Sequence, residues 1–319
     1  MNIENIYNLV VKMGIENDPR GVAGVKKILA KEKEKFSAFG KVQKETFDQD
    51  KLINPYSDSR ILFNNHPKIV KRVLAGIDIS VSEMLLADWL KAKGKKIDLV
   101  ISHHPLGRAL ANLGDVINLQ ADLLASYGVP INIAEGLLEP RVSEVGRKIS
   151  PANHSRVIDA AKIIDISLMC THTVCDNLVY GFLKKAIEKN KPETIEELVK
   201  CISNISEYKI ANLEGAGVKI FTGKPERRVG KIALTEITGG TAGSRHIYEK
   251  LAQAGVGTII GMHMDEEHKE EAEKYHLNVV IAGHISSDSL GTNLFLDELE
   301  KKGIEVIPCS GLIRVKRFK

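Results

Sequence analysis

The sequence has 319 residues, enough for a large hydrophobic core and about two domains. Its hydrophobic content of 43% and charged content of 27% are ordinary for a globular protein. A net charge of only +4 and an aromatic content of 5% argue against nucleic-acid binding, which needs basic surfaces and stacking side chains. No run of about 18 apolar residues predicts a membrane span. The four cysteines form no C-x-x-C pair and no signal peptide opens the chain, so we expect reduced thiols and a cytoplasmic location.

The first part of the chain divides at residue 66. Residues 1–66 are predicted to be a helical and irregular extension, with an opening helix near 3–13 and a polar segment at 47–65. Residues 67–190 are predicted to form a first α/β half, with strands at 73–80, 97–102, 129–135 and 165–173 and helices at 83–95, 113–128 and 155–164. β-branched strands that alternate with amphipathic helices predict a mainly parallel sheet covered on both faces.

A second α/β half is predicted for residues 191–319. The charged, proline-containing stretch at 190–197 is the best candidate for the boundary, although a helical pattern at 181–202 runs across it. The predicted strands are 231–237, 257–262, 277–283 and 304–309, and the predicted helices are 245–255, 265–276 and 289–303. The fold class is therefore predicted as α/β, with two α/β subdomains built on mainly parallel or mixed sheets.

Five of the ten histidines lie just beyond a predicted strand end. They are His103 and His104 after 97–102, His172 after 165–170, His263 after 257–262 and His284 after 277–283. Asp176 and Asp288 follow His172 and His284 by four residues each. Ligands of open parallel sheets bind beyond the carboxyl ends of the strands, where such loops converge. Imidazole together with carboxylate is the usual ligand set for zinc, iron(II) or manganese(II).

These residues also have structural explanations. A single histidine at a strand end is more often a hydrogen-bonded loop residue than a metal ligand. Asp288 is a natural N-cap for a helix at 289–303, and Asp176 is a possible cap for the helix that leads into Gly181. The adjacent pair His103-His104 has few structural uses. Because consecutive side chains of an extended backbone point in different directions, the pair suits two metals, or one metal and a substrate.

A glycine-rich loop follows the strand at 231–237. Its residues Gly239, Gly240, Gly243 and Ser244 lie between a strand and a helix, where backbone N–H groups can hold an anion. The loop lacks the lysine of a P-loop and a full G-x-G-x-x-G pattern. A tight strand-to-helix turn that needs glycine explains it equally well.

Taken in order, these motifs resemble one family, the NGG-interacting factor three-like proteins, also known as GTP cyclohydrolase I type two homologues. The resemblance runs from about residue 73 to the C-terminus. It rests on Gly76-Ile-Asp78-Ile, Asp98-Leu-Val-Ile-Ser-His103-His104-Pro105-Leu106, His172-Thr173-x-x-Asp176, the strand and glycine loop at 232–244, and Gly283-His284-x-x-x-acid. The order and spacing of these separate motifs make the resemblance specific.

The resemblance implies two divalent metal ions, iron, zinc or manganese, in a cleft between two α/β domains. Matched position by position, the implied ligands are His103, His104, Asp176, His284 and Asp288, with His172 as a nearby or additional contact. The resemblance also implies a homo-oligomer, a hexamer. Two departures stand out: the family usually has glutamate where this chain has Asp288, and a threonine-glycine-glutamate element where this chain has Gly261-Met262-His263.

Our leading functional hypothesis is a dinuclear metal hydrolase of the GTP cyclohydrolase I type two kind. It would act on a nucleotide-like or heterocyclic small molecule through metal-bound hydroxide, with His172 and Asp176 in catalytic roles and the glycine loop holding an anionic part of the substrate. A second hypothesis is a metal-binding regulator or metal-delivery protein without turnover. A third makes the histidines loop residues of a ring-forming scaffold.

Overall fold

A computed structural model describes residues 1–67 and 69–318. Its first sheet contains β1 (Ser59–Phe63), β2 (Arg72–Gly76), β3 (Leu99–Ser102), β4 (Ser167–Thr171) and β9 (Glu305–Cys309). The strand order is β1-β4-β3-β2-β9, and only β1 runs antiparallel to its neighbour among these pairs. The carboxyl ends of the four parallel strands therefore meet at one edge.

The second sheet contains β5 (Lys219–Thr222), β6 (Lys231–Glu236), β7 (Val256–Gly261) and β8 (Asn278–Ile281), in the order β5-β8-β7-β6. Strands β6, β7 and β8 are parallel, and β5 is antiparallel to β8. The predicted fold class, α/β with two mainly parallel or mixed sheets, is confirmed.

The connecting segments are mostly helical. The helices are α1 (Ile3–Glu16), α2 (Gly21–Ala38), α3 (Lys41–Thr46), α4 (Val81–Ala92), α5 (Gly107–Ala111), α6 (Leu113–Val116), α7 (Asn118–Ser126), α8 (Ile131–Ile149), α9 (Arg156–Ile164), α10 (His172–Asn190), α11 (Ile195–Ser203), α12 (Ser206–Leu213), α13 (Ile247–Gln253), α14 (Glu266–Lys274) and α15 (His284–Glu300), with a 3-10 helix at Gln49–Leu52. No described helix is both long enough and apolar enough to cross a bilayer.

Local sequence signals explain the best-predicted elements. Ser80 caps α4, and Glu83 returns a hydrogen bond to the Ser80 backbone N–H, which completes a capping box. Gly94, with φ of +79°, ends the same segment in the left-handed region that glycine adopts without strain. Three of the four residues of β3 are apolar, and the strand is buried on both faces as expected for an inner parallel strand.

The strand predicted at 129–135 is wrong, because residues 131–149 form helix α8. Pro130 precedes the first helical turn, where its missing N–H costs nothing. The buried positions Ala134, Leu138 and Val145 are four and seven residues apart, a helical spacing that a short apolar run conceals. The helical pattern at 181–202 also divides, with α10 ending at Asn190 and α11 beginning at Ile195.

The two sheets do not follow the predicted segments 1–66, 67–190 and 191–319 one to one. Strand β1 comes from the first segment and β9 from the last, yet both belong to the first sheet. One large apolar cluster also contains side chains of both sheets together with helices α1, α10 and α15. Helices α10 and α15 approach closely at Gly291, where a Cβ atom would lie 2.3 Å from the Cys175 carbonyl oxygen. This contact sets the position of the acids on both helices.

Candidate metal centre

The predicted metal ligands come together at the carboxyl edge of the first sheet. His103 and His104 follow β3 directly, while Asp176 lies on α10 and His284 and Asp288 lie on α15. Helix α10 begins at His172 and α15 at His284, earlier than predicted in both cases. Each acid therefore lies one turn after a histidine on the same helix face, and neither acid is an N-cap.

One part of the cluster is buried. His103 Nε2 lies 3.4 Å from Asp176 Oδ1 and 3.4 Å from Asp288 Oδ1. All three side chains are almost completely shielded from solvent. We call His103, Asp176 and Asp288 the inner group.

A second part opens toward solvent. His104 Nε2 lies 3.2 Å from Asp288 Oδ2, and His284 Nε2 lies 3.4 Å from the same oxygen. The two imidazole Nε2 atoms are 3.4 Å apart. The side chains of His104 and His284 are 24% and 41% exposed. We call His104, His284 and Asp288 the outer group, and Asp288 is the carboxylate that the two groups share.

The arrangement fits divalent ions on two counts. His103 Nε2, Asp176 Oδ1 and Asp288 Oδ2 are buried and have no hydrogen-bond partner among the described residues. Buried polar atoms left without partners are costly, and a cation would satisfy all of them. In addition, tetrahedral ligands about 2.1 Å from an ion lie about 3.4 Å from one another. His103 lies 3.4 Å from each inner carboxylate, and the three ligand atoms of the outer group lie 3.2 to 3.4 Å apart.

Two further carboxylates orient the histidines. His104 Nδ1–H donates to Asp78 Oδ1 over 2.6 Å, which leaves Nε2 facing the outer group. His172 Nδ1–H donates to Asp58 Oδ2 over 2.8 Å, and its Nε2 lies 3.9 Å from Asp176 Oδ2. Such carboxylate–histidine pairs fix the tautomer and the ring direction of metal-binding imidazoles.

The charges of the cluster act strongly on one another. Burial opposes the charged form of Asp288, but the positive charge of His103, with help from His104 and His284, holds the Asp288 pKa well below its usual range. Burial also opposes charge on His103, yet Asp288 and Asp176 raise the pKa of its imidazole well above the usual value. Burial lowers the pKa of His284, which favours the neutral form that binds metal.

A narrow cleft runs from this cluster to the second sheet. His172, Asp176, His284 and Asp288 form one wall. The opposite wall contains Glu236, Ile237, Thr238, Gly240, Thr241, Met262 and His263. His263, whose ring centre lies 5.0 Å from that of His284, lines this cleft and is exposed to solvent.

The predicted anion loop is divided between two surfaces. Gly240 lines the cleft, whereas Gly243 and Ser244 line a separate groove beside α8. The Gly239 carbonyl accepts a hydrogen bond from Gln120 Nε2 over 3.1 Å. Gly239 and Gly240 have φ angles of +104° and +85°, so a turn that needs glycine accounts for both residues. Anion binding by this loop stays a prediction.

Sequence reasoning assigned no role to Asp58, Asp78 or Glu236. Asp78 follows β2 at the same sheet edge as His103, so extending the inspection of strand ends to the first strand would have found it. Glu236 was included in a predicted strand, and Asp58 lies in a segment predicted to be irregular. No pattern of spacing links Asp58 to His172, because 114 residues separate them.

No protein-family model and no curated protein matches the sequence. Among solved structures, the chain is similar to a NIF3 superfamily protein from Sphaerobacter thermophilus, with 26% identity and a TM-score of 0.70 over 80% of this chain and 92% of the other. The resemblance to the NIF3 superfamily is therefore confirmed at the level of the fold. This is the NGG-interacting factor three-like family that the motifs indicated.

Two other structures resemble this NIF3-like chain less closely. Reduced HcgD from Methanocaldococcus jannaschii has 19% identity and a TM-score of 0.49 over 88% of this chain and 96% of its own. A Bacillus cereus protein related to NIF3 has 11% identity and a TM-score of 0.41 over 82% of this chain and 92% of its own. Because both scores are below 0.5, the resemblance to the NIF3 superfamily depends on the Sphaerobacter structure.

Proposed function

We propose that this NIF3-like chain binds two divalent metal ions, one at the inner group and one at the outer group, and acts as a metal-dependent hydrolase of a nucleotide-like or heterocyclic small molecule. The observation that carries the proposal is the convergence of unpartnered buried ligand atoms at separations of 3.2 to 3.4 Å around the shared Asp288. Imidazole and carboxylate suit iron, zinc and manganese alike, so the ligand set does not select one of these metals.

A pair of divalent ions supplies Lewis acidity and lowers the pKa of water, which is the chemistry that hydrolysis at neutral pH requires. The side chains of the cluster would bind the two ions and orient the groups around them. Asp288 gives one oxygen to each group, and Asp176 joins the inner group to His172. Asp58 holds His172 Nδ1–H, so the proton that His172 exchanges with a bound molecule is the one at Nε2, on the cleft side.

Metal analysis tests the proposal directly. The chain is purified without added metal, and its content of iron, zinc and manganese is measured by mass spectrometry. We expect two ions per wild-type chain, loss of the outer ion in His104→Ala and loss of the inner ion in Asp176→Ala. His246→Ala, an exposed histidine on the far side of the glycine loop, is the matched control and should retain both ions. A wild-type chain without transition metal would overturn the proposal.

A metal-delivery protein is the second candidate, and the exposure of the outer group favours it. With His284 41% exposed, a partner or a chelator can reach that ion without unfolding the site. Nucleotides and heterocycles are incubated with metal-loaded protein, and product formation is compared with metal transfer to a coloured chelator. Metal-dependent turnover supports the hydrolase, whereas fast transfer of the outer ion without product supports the delivery protein.

A further inference from the structure

Glu236 is an ionisable group in the cleft that the metal-binding proposal does not use. It is the last residue of β6, at the carboxyl end of the second sheet, and it lines the same cleft as His172, Asp176, His284 and Asp288. Its Oε1 atom is buried and has no hydrogen-bond partner among the described residues. A carboxyl oxygen without a partner beside a ligand cleft is a group placed to meet a ligand.

The surroundings of Glu236 favour its protonated form. Burial raises the pKa of Glu236 to about 7, and Asp265 adds to the shift, while Arg141 and the Gly243 N–H oppose it. Tyr248 of α13 is the further ionisable neighbour on that side, and His263 lines the cleft beside it. A neutral carboxylic acid donates a hydrogen bond, as the ionised form does not.

The position of Glu236 also depends on a glycine in the neighbouring strand. Gly261 pairs with Glu236 across β6 and β7, and a Cβ atom at Gly261 would lie 2.8 Å from the Glu236 Cβ. Glycine therefore leaves the space that the glutamate occupies. Two threonines of the same wall, Thr238 and Thr241, add hydroxyl groups near the carboxyl end of β6. The wall opposite the metal groups is thus polar, with hydrogen-bond donors available.

We propose that Glu236 binds an oxyanion group of the molecule held at the metal groups, by donating a carboxyl proton to one of its oxygens. The inference rests on the proposed function, because the metal ions would hold the opposite side of the same oxyanion. Binding then takes up a proton wherever free Glu236 is ionised, so affinity for the oxyanion falls as pH rises above 7. No bond is broken in this step: the proton moves from solvent to Glu236 and stays in the hydrogen bond.

Sulfate is a suitable probe because its charge does not change between pH 6 and pH 9. Calorimetry of metal-loaded protein in two buffers of different ionisation enthalpy counts the protons taken up for each sulfate bound. We expect about one proton per sulfate at pH 8 for wild type and clearly less for Glu236→Gln. Between pH 7 and 8.5, the sulfate affinity of wild type should fall about tenfold more than that of Glu236→Gln. Any titration of water at the metal ions affects both proteins equally and therefore cancels in this comparison.

Glu270→Gln is the matched control, since Glu270 is an exposed acid on α14. It should behave as wild type. Equal proton counts for wild type and Glu236→Gln, or no sulfate binding to the metal-loaded chain, would overturn the inference. If Glu236→Gln does not fold, infrared difference spectra of the wild type decide: sulfate binding at pH 8 must produce a carboxylic-acid band. Metal content is measured separately, so a chain without metal overturns the proposed function and is not confused with a failure of Glu236.

Discussion

Asp78→Asn should weaken the binding of one of the two proposed metal ions and leave the binding of the other unchanged. The Asp78 carboxylate contacts the cluster through His104 Nδ1, and His104 Nε2 faces the outer group. The amide of asparagine can present its oxygen to Nδ1–H, but it removes the negative charge that makes the imidazole a better ligand. The inner group, built on His103 and Asp176, does not include His104.

The expected size follows from the exposure of this pair. Losing an outer partner of a metal-binding histidine typically costs 10- to 100-fold in affinity, or about 1.4 to 2.7 kcal/mol. Because the Asp78 side chain is 71% exposed, water screens its charge, and we expect the lower end, about tenfold. The free energy of unfolding of the metal-free chain should change by less than about 0.5 kcal/mol.

Competition with a chelator of known affinity measures the two ions separately. The affinity for the outer ion should fall about tenfold in Asp78→Asn, while the affinity for the inner ion should not change. Asp88→Asn, an exposed acid on α4, is the matched control and should leave both sites unchanged. An equal loss at both sites, or no loss at either, would refute the division into an inner and an outer group.

Three other substitutions test the site. Asp288→Asn should abolish binding of both ions, measured by metal content, because its two oxygens serve both groups; retention of two ions contradicts the shared role. Glu236→Gln should raise the free energy of unfolding of the metal-free chain by about 3 kcal/mol at pH 8 and leave it unchanged at pH 4, measured by urea unfolding. The reason is that a carboxyl whose pKa rises from 4.5 to about 7 on folding destabilises the folded wild type as pH rises through that range. Asp58→Asn should lower the free energy of unfolding by about 1 to 3 kcal/mol at pH 7, since Asp58 is buried and accepts from His172 and Thr173. Burial opposes the charge of Asp58, but His172 lowers its pKa, so this deficit should shrink as pH falls below about 4; a deficit that grows on acidification contradicts the assignment.

The sequence was sufficient for the parallel strands, which carry a strong local signal, but no predicted strand covers the antiparallel edge strands β1 and β5. Runs such as Leu99-Val100-Ile101 are apolar and rich in β-branched residues, and the helices between them end at glycines such as Gly94. The failure at 129–135 has a local cause as well. Val129-Pro130-Ile131 is a short apolar run that suits a strand or the first turn of a buried helix, and periodicity over so few residues does not separate the two.

Helix starts at the site could not be placed for a different reason. Thr171 and Gly283 occupy the N-cap positions of these helices, but at neither start does a side chain cap the helix. Tertiary contacts decide these starts instead, including the close approach of α10 and α15 at Gly291. The prediction therefore found which residues meet at the sheet edge but placed both acids too near a helix terminus.

The shorter acid at position 288 is explained by that same helix geometry. A glutamate has one more methylene to span the distance from a helix to two metal groups. Here α15 begins at His284, so Asp288 lies one turn inside the helix, and Gly291 lets α15 approach α10 to within backbone contact. Both Asp288 oxygens consequently come within 3.2 to 3.4 Å of imidazole Nε2 atoms, although the side chain is short. The approach of the helix supplies the reach that the missing methylene would have provided, so the departure from the family's glutamate does not by itself argue against a two-metal site.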